Sequence, residues 1–270
     1  MTAYAELVHS LAEQVTTRLD ALTATAASGG LDEAIEVLTT AIRAGGVVHA
    51  FGTGHSEAFA MEIAGRAGGL IPTNKIALRD LVLRGRLPLD VLGGSSLERD
   101  PSVAEKLWQL VPATPGDVII IASNSGVNGS IVGFARQAHE HGHPVIAVTS
   151  LEHTMQVQPK HPSGQRLRDV ADVVIDNLAP YGDATLEPVG GVPPGPDRGV
   201  HGGSSPLPAM GAVSSVTSAY IAQLLTVGVA QRIDAAGEVP PLYLSANIPG
   251  GDAHNAQLEA RYAGRIRRGT

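Results

Sequence analysis

Two stretches of the chain are dense in small hydrogen-bonding residues: Gly52-Thr53-Gly54-His55-Ser56 and Ser123-Asn124-Ser125-Gly126-Val127-Asn128-Gly129-Ser130. Glycines let a ligand come close to the backbone. Serine and asparagine add donors without adding charge. Where such a loop opens a helix, unpaired N–H groups and the positive end of the helix dipole favour an anion. The economical ligand is the anionic end of a substrate, most simply a phosphate, with Thr53, Gly54, Asn124 and Ser130 among the residues that would surround it. Taken singly, each stretch is also explained by turn chemistry or helix capping. Neither matches a nucleotide motif. No Gly-Lys-Ser/Thr follows the second, and in the first Glu57 occupies the third glycine position of G-x-G-x-x-G, where a carboxylate would meet a pyrophosphate. NAD is rejected on that ground, and no cofactor is expected.

Groups able to move protons lie close to these stretches. His55 sits in the first turn, where a bulky ring has no packing duty. Glu57 follows Ser56 and either faces a substrate or simply suits the first turn of a helix. Glu62 is either a base or the partner of Arg66 at i,i+4. Glu98, in Gly93-Gly94-Ser95-Ser96-Leu97-Glu98-Arg99, is a base candidate or a helix-start carboxylate. His254 and Asn255 open the last helix behind Gly250-Gly251-Asp252, with Asp252 as its N-cap. Asp183, in Tyr181-Gly182-Asp183-Ala184, either lines a pocket or forms an Asx-turn. A zinc site from His55, Glu62 and His254 is chemically reasonable, but no ligand spacing supports it, so a metal is left open. His139, His141 and His143, spaced by two, do not share a helical face and read as solvent residues near a helix end.

The elements that must position these groups follow from periodicity. Leu7, Leu11, Val15, Leu19 and Leu22 form one apolar stripe of a helix over 2–27, and a second helix runs over 31–43. Val47 to Phe51, Val118 to Ala122, Pro144 to Thr149 and Val173 to Asp176 are short apolar runs that read as buried strands. Helices over 57–67 and 131–141 alternate with them, which is the signature of βαβ units and a parallel sheet. Ligands of open α/β sheets bind beyond the strand C-termini where the strand order reverses, and both polar stretches stand at such ends. Twelve of the 21 residues in 188–208 are Gly or Pro, which reads as a mobile loop. A long apolar helix over 211–236, an extended piece at Leu242 to Leu244 and a last helix over 252–267 complete the chain.

Composition narrows the function classes. The chain has 270 residues, 43% hydrophobic but only 3% aromatic, which suits a large aliphatic core. Net charge is −7, and the one basic cluster, Arg265, Arg267 and Arg268, reads as a solvated helix end. Nucleic-acid binding is therefore not expected. The absence of cysteine excludes disulfides, thiolate catalysis and Cys-ligated zinc. No long apolar run or leader pattern is present, so no membrane partner and a cytoplasmic location are expected.

The residues also resemble a known family. His49 to Ser56, with Arg66-Ala67-Gly68-Gly69-Leu70 behind it, looks like the first loop of a sugar isomerase (SIS) domain. Gly116-Asp117-Val118, Ser123-Asn124-Ser125-Gly126 and Asn128 look like its second loop, and Ser245-Ala246-Asn247 with Gly251-Asp252-Ala253-His254-Asn255 is similar to a subfamily near phosphoheptose isomerase. The resemblance covers residues 2–267 apart from the Gly/Pro-rich insert. It implies one SIS domain over 1–270: a three-layer αβα sandwich around a mainly parallel five-stranded sheet, flavodoxin-like and doubly wound, with an N-terminal helical extension over 1–45. It implies a homodimer or homotetramer with sites near subunit interfaces, and a sugar phosphate held by Ser56, Ser123, Ser125 and Asn128, with the Glu98 segment nearby. Two departures from phosphoheptose isomerases stand out. Arg66 occupies the position of their first-helix carboxylate, and the helix over 211–236 lacks their histidine. Fold membership alone does not fix the reaction. The expectation is an aldose–ketose isomerase acting on a sugar phosphate; the alternatives are a non-catalytic sugar-phosphate sensor, and an etherase or lyase on an N-acetylamino sugar phosphate.

Overall fold

The computed structural model describes residues 3–186 and 209–267; the 188–208 segment read as a mobile loop lies outside them. Five strands, β1 (Val48–Gly52), β2 (Thr73–Ile76), β3 (Val118–Ala122), β4 (Val145–Thr149) and β5 (Val173–Asp176), form one parallel sheet in the order β2-β1-β3-β4-β5. This is the flavodoxin-like doubly wound order, in which the chain steps outward from β1 to β2 and then returns to the other side through β3. The central strands are buried along their whole length, so their sequences are apolar on both faces rather than alternating.

Successive side chains supply two cores. Ala50, Ile120, Ile146 and Val148 face one layer of helices, formed by α1 (Ala3–Ala27), α2 (Asp32–Arg43), α3 (Glu57–Ile63) and, later in the chain, the helix Ser214–Ala235. Phe51, Ile119, Ile121, Val145 and Ala147 face the other layer. There α4 (Asp80–Leu83), α5 (Ser96–Arg99), α6 (Val103–Trp108) and α7 (Gly129–Glu140) contribute Leu81, Leu97, Leu107, Trp108, Ile131 and Phe134. The result is the expected three-layer sandwich. On α2 the spacing of Ile35, Leu38 and Ile42 puts all three in the core. On α1 only Leu22 of the apolar stripe is fully buried, and Tyr4 and Val8 are exposed. No helix among the described residues is long and apolar enough to cross a membrane.

Several boundaries differ from the sequence reading. The first-loop helix ends at Ile63 rather than 67, because Gly65 takes a positive φ and turns the chain. The last helix, Gly251–Glu259, stops well before 267 and continues only as a turn over Ala260–Tyr262. Gly250, in the left-handed region, precedes it, so Asp252 is not its N-cap. A short antiparallel pair, β6 (Ala184–Leu186) and β7 (Met210–Ala212), brackets the undescribed segment.

Of the basic cluster at the chain end, Arg268 lies outside the described residues, and Arg265 and Arg267 are not at a solvated helix tip. Arg265 reaches Asp117, Thr114 Oγ1 (2.6 Å) and the Gly45 carbonyl (2.9 Å). Arg267 N donates to Asn74 Oδ1 (2.6 Å) and its guanidinium to the Leu110 carbonyl. Asp117 is fully buried at the start of β3; it accepts the N–H groups of Val47 and Thr114 (both 2.8 Å) and bonds His49 Nε2 (3.1 Å). Asn74 Nδ2 lies 3.3 Å from His49 Nδ1. An amide nitrogen only donates, so Nδ1 is the acceptor and Nε2 carries the proton toward Asp117. His143, expected in solvent, is instead 6% exposed and bonded to the Asp117 carbonyl (3.1 Å). This polar clasp closes the N-terminal end of the sheet, opposite the two Gly/Ser-rich loops.

Candidate functional site at the strand switch point

β1 and β3 are neighbours, and Gly52 pairs with Ala122 in the register, so the two loops leave the sheet side by side. The strand order reverses between these two strands, which creates the crevice such folds use for ligands. The first loop turns so tightly that a Cβ on Gly52 would stand 2.2 Å from the Ser56 carbonyl oxygen. Thr53 is extended and Gly54 to Ser56 form a single 3-10 turn leading into α3. In the second loop the Gly126 N–H bonds Ser123 Oγ (3.1 Å), with Gly126 at φ +63. Asn124 Oδ1 accepts from Asn177 (3.1 Å), and its carbonyl accepts from Thr149 Oγ1 and Ser150 N (both 3.2 Å). Gly129 then starts α7 against the chain before α6: a Cβ there would lie 2.3 Å from the Arg99 carbonyl oxygen.

A cavity of about 350 Å³ opens beside the first loop, within the range that holds a small metabolite. Gly52, Thr53, Gly54 and Glu57 form one wall; Leu78, Arg79, Val91, Leu92, Leu97 and Glu98 form the other. Glu98 ties this cavity to the second loop. Its Oε1 accepts from Asn128 Nδ2 (3.3 Å), and its carbonyl accepts from Ser130 Oγ (2.7 Å). Its Oε2 is 3.6 Å from where a Cβ on Gly54 would stand.

The structure sorts the candidates by where their side chains go. Glu98, Glu57, Thr53 and Gly54 line the cavity. Glu57 is ion-paired there with Arg79 through two contacts and with Lys75 at 3.6 Å. Asn128 faces Glu98 on one side and Lys160 Nζ (3.4 Å) on the other. Ser56 and Ser125 have hydroxyls that are not engaged with protein groups among the described residues, and the Gly129, Ser130 and Ile131 N–H groups head α7 without helical carbonyls to bond. Ser123 and Asn124 hold the loop together through the bonds above. Ser130 is buried and turned toward the Glu98 backbone, so its hydroxyl is not directed at a ligand.

The remaining candidates go elsewhere. Glu62 bonds Arg66 and Gln223 Nε2 (3.0 Å), away from the cavity wall. His254 Nε2 bonds the Leu242 carbonyl (2.9 Å), and buried Asn255 bonds both backbone groups of Leu244 (2.9 Å each); both fix the segment ahead of the last helix. Asp183, at φ +69, accepts from Val213 N, Ser214 N and Ser214 Oγ. It caps the helix Ser214–Ala235 from outside. His55 is exposed in the first turn and is not part of the cavity wall. Among the described residues no three His, Asp or Glu side chains gather as a metal site, so His55, Glu62 and His254 do not assemble one. Arg79 and the apolar wall were not legible as cavity residues, because each arrives from a connection without a motif of its own.

Residues 11–150 match the SIS domain model. A UPF0309 protein of Caldanaerobacter subterraneus subsp. tengcongensis is 35% identical over 82% of this chain and 83% of its own. One from Geobacillus kaustophilus is 34% identical over 87% and 86%. Among solved structures, a phosphoheptose isomerase from Francisella tularensis superposes with a TM-score of 0.51 at 16% identity, covering 86% of this chain and all of that one. E. coli CFT073 c3406, in complex with A5P, gives a TM-score of 0.50 at 15% identity over 86% and 93%. At that identity the superpositions speak to the fold, whereas the domain match and the UPF0309 relatives speak to descent: the chain belongs to the SIS domain family.

Proposed function

We propose that this chain is a phosphosugar isomerase of the aldose–ketose type, with its phosphate at the second loop and its sugar in the cavity beside the first. The observation that carries this reading is Glu98. Its carboxylate is held by Asn128 of the second loop on one oxygen and reaches the first loop at Gly54 with the other. A base there would take the proton from the carbon next to the carbonyl of an open-chain sugar and return it to the neighbouring carbon. Glu57, locked to Arg79 and Lys75, orients polar groups of the ligand rather than carrying the proton. The solved structure in complex with A5P and the phosphoheptose isomerase share this fold, which supports the substrate class.

The binding-only reading is favoured by one observation: no histidine lines the cavity among the described residues. Proton NMR in D2O with a panel of aldose and ketose phosphates separates the two. Solvent exchange at C1 or C2 together with a new isomer is the expected result. Saturable binding without exchange would establish a sensor, and exchange with loss of a substituent would establish a lyase. We also propose that the chain is cytoplasmic, works as a single domain and forms a homodimer or homotetramer with sites near the interfaces. Exposed Tyr4 and Val8 on α1 and Val216 and Val227 on the helix Ser214–Ala235 support an oligomer. Sedimentation velocity should give a dimer or larger; a monomer at working concentration would refute it.

A further inference from the structure

We propose that Lys160 supplies the cation of the phosphate subsite; this rests on the reading above that a phosphate monoester sits at the second loop. The loop itself offers only neutral donors, the Ser125 hydroxyl and the N–H groups that head α7. The cations on the cavity side, Arg79 and Lys75, are already paired with Glu57. Lys160 is different. It forms no ion pair among the described residues, and its ammonium stands 3.4 Å from Asn128 Oδ1.

Its position is set by backbone rather than by chance. After the helix Leu151–Gln156 the chain doubles back along the second loop. Lys160 N donates to the Val127 carbonyl (3.1 Å) and Leu167 N to the Gly126 carbonyl (2.7 Å). The Arg166 guanidinium grips the Thr154 and Val157 carbonyls (2.9 and 3.2 Å), which stiffens the turn that carries Lys160. The side chain is thus an exposed arm on a fixed base beside the donors of the loop.

Lys160 also has a positioning effect. An ammonium only donates and a carboxylate only accepts, so the two neighbours of Asn128 leave one orientation of its amide: oxygen to Lys160, nitrogen to Glu98. The same lysine therefore links phosphate occupancy to the alignment of the proposed base. A phosphate dianion arriving at Ser125 and the α7 N-terminus gains a charge-assisted hydrogen bond that a non-phosphorylated sugar does not.

The test is titration of the full-length protein with inorganic phosphate, followed by 31P NMR and calorimetry. Variants K160M, K160R and S125A are compared with wild type at low and high salt. K160M should weaken phosphate binding at least about tenfold, since hydrogen bonds to charged groups are the stronger class. K160R should stay within about threefold of wild type, and the salt dependence should be flatter in K160M because one screened charge is gone. Thermal unfolding without phosphate should be unchanged for an exposed side chain. If S125A loses binding while K160M does not, the inference falls and the phosphate reading stands. If K160R falls as far as K160M, charge is not the cause and the inference falls. If wild type shows no saturable phosphate binding, the inference and the reading beneath it fall together.

Discussion

Glu98→Gln should lower turnover on the isomerised sugar phosphate by about a thousandfold, the scale of a lost general base, while its dissociation constant stays within about threefold. Gln preserves the shape: its carbonyl oxygen still accepts from Asn128 Nδ2, and the Ser130 bond goes to the residue 98 backbone, which the change does not touch. What disappears is the oxygen near Gly54 that could hold a proton. A parallel loss of kcat and kcat/KM would mark an interaction made only in the transition state. Glu57→Gln provides the contrast. It releases Arg79 and Lys75 inside the cavity, so binding should suffer more than turnover. If Glu98→Gln turned over normally, the account of Glu98 as base would be wrong.

The second large effect lies at the other end of the sheet. Asp117→Ala should cost about 3–5 kcal/mol of unfolding free energy, as removing one partner of a buried charged network does. The carboxylate is fully buried; its loss strands the N–H groups of Val47 and Thr114 and His49 Nε2, and takes from Arg265 its only anionic partner among the described residues. Urea titration followed by circular dichroism measures it, and a loss below about 1 kcal/mol would contradict the network's role. Because the clasp stands opposite the loops, the folded fraction should keep its ligand affinity.

The same cluster sets the acid response. Burial alone would raise the Asp117 carboxyl, but hydrogen bonds from His49, Thr114 and Val47 and the guanidinium of Arg265 outweigh it and hold it well below the usual carboxylate range. Burial lowers His49, only partly offset by Asp117. Both groups bind protons more readily in the unfolded chain, so stability falls as pH falls. The decline begins near the unfolded histidine value of about 6.5 and continues through the unfolded aspartate value of about 3.9. In Asp117→Ala the lower part of that decline should be missing.

Most of the sheet was legible because it rests on local signals. Val118 to Ala122 is an unbroken apolar run, and the loop after it is dense in donors, so a strand followed by a polar turn into a helix could be read without tertiary information. The clasp could not be read. His49 sits inside an apolar strand, Asp117 lies 68 residues later, and Arg265 lies another 148 beyond. Each alone looks like an ordinary strand, turn or terminus residue, and only the fold brings them into one buried cluster. The same holds for Asp183, which resembles a turn residue but caps a helix 31 positions on. Glu62 and His254 lie off the cavity wall for a related reason. Sequence proximity to a loop does not say which way a side chain points, and here one turns to Gln223 and the other to Leu242. Glu98 was recoverable because its loop is itself polar and rich in glycine.

The two loops at the β1–β3 switch point are proposed to hold a sugar phosphate together. Amide chemical-shift mapping on the isotope-labelled protein, titrated with the phosphosugar selected by exchange in D2O, tests it most directly. Saturable shifts are expected at Gly54, Ser125, Gly129 and Glu98, with Asn74, Asp117 and Arg265 unmoved. Shifts confined to the clasp end, or to one loop without the other, would contradict it.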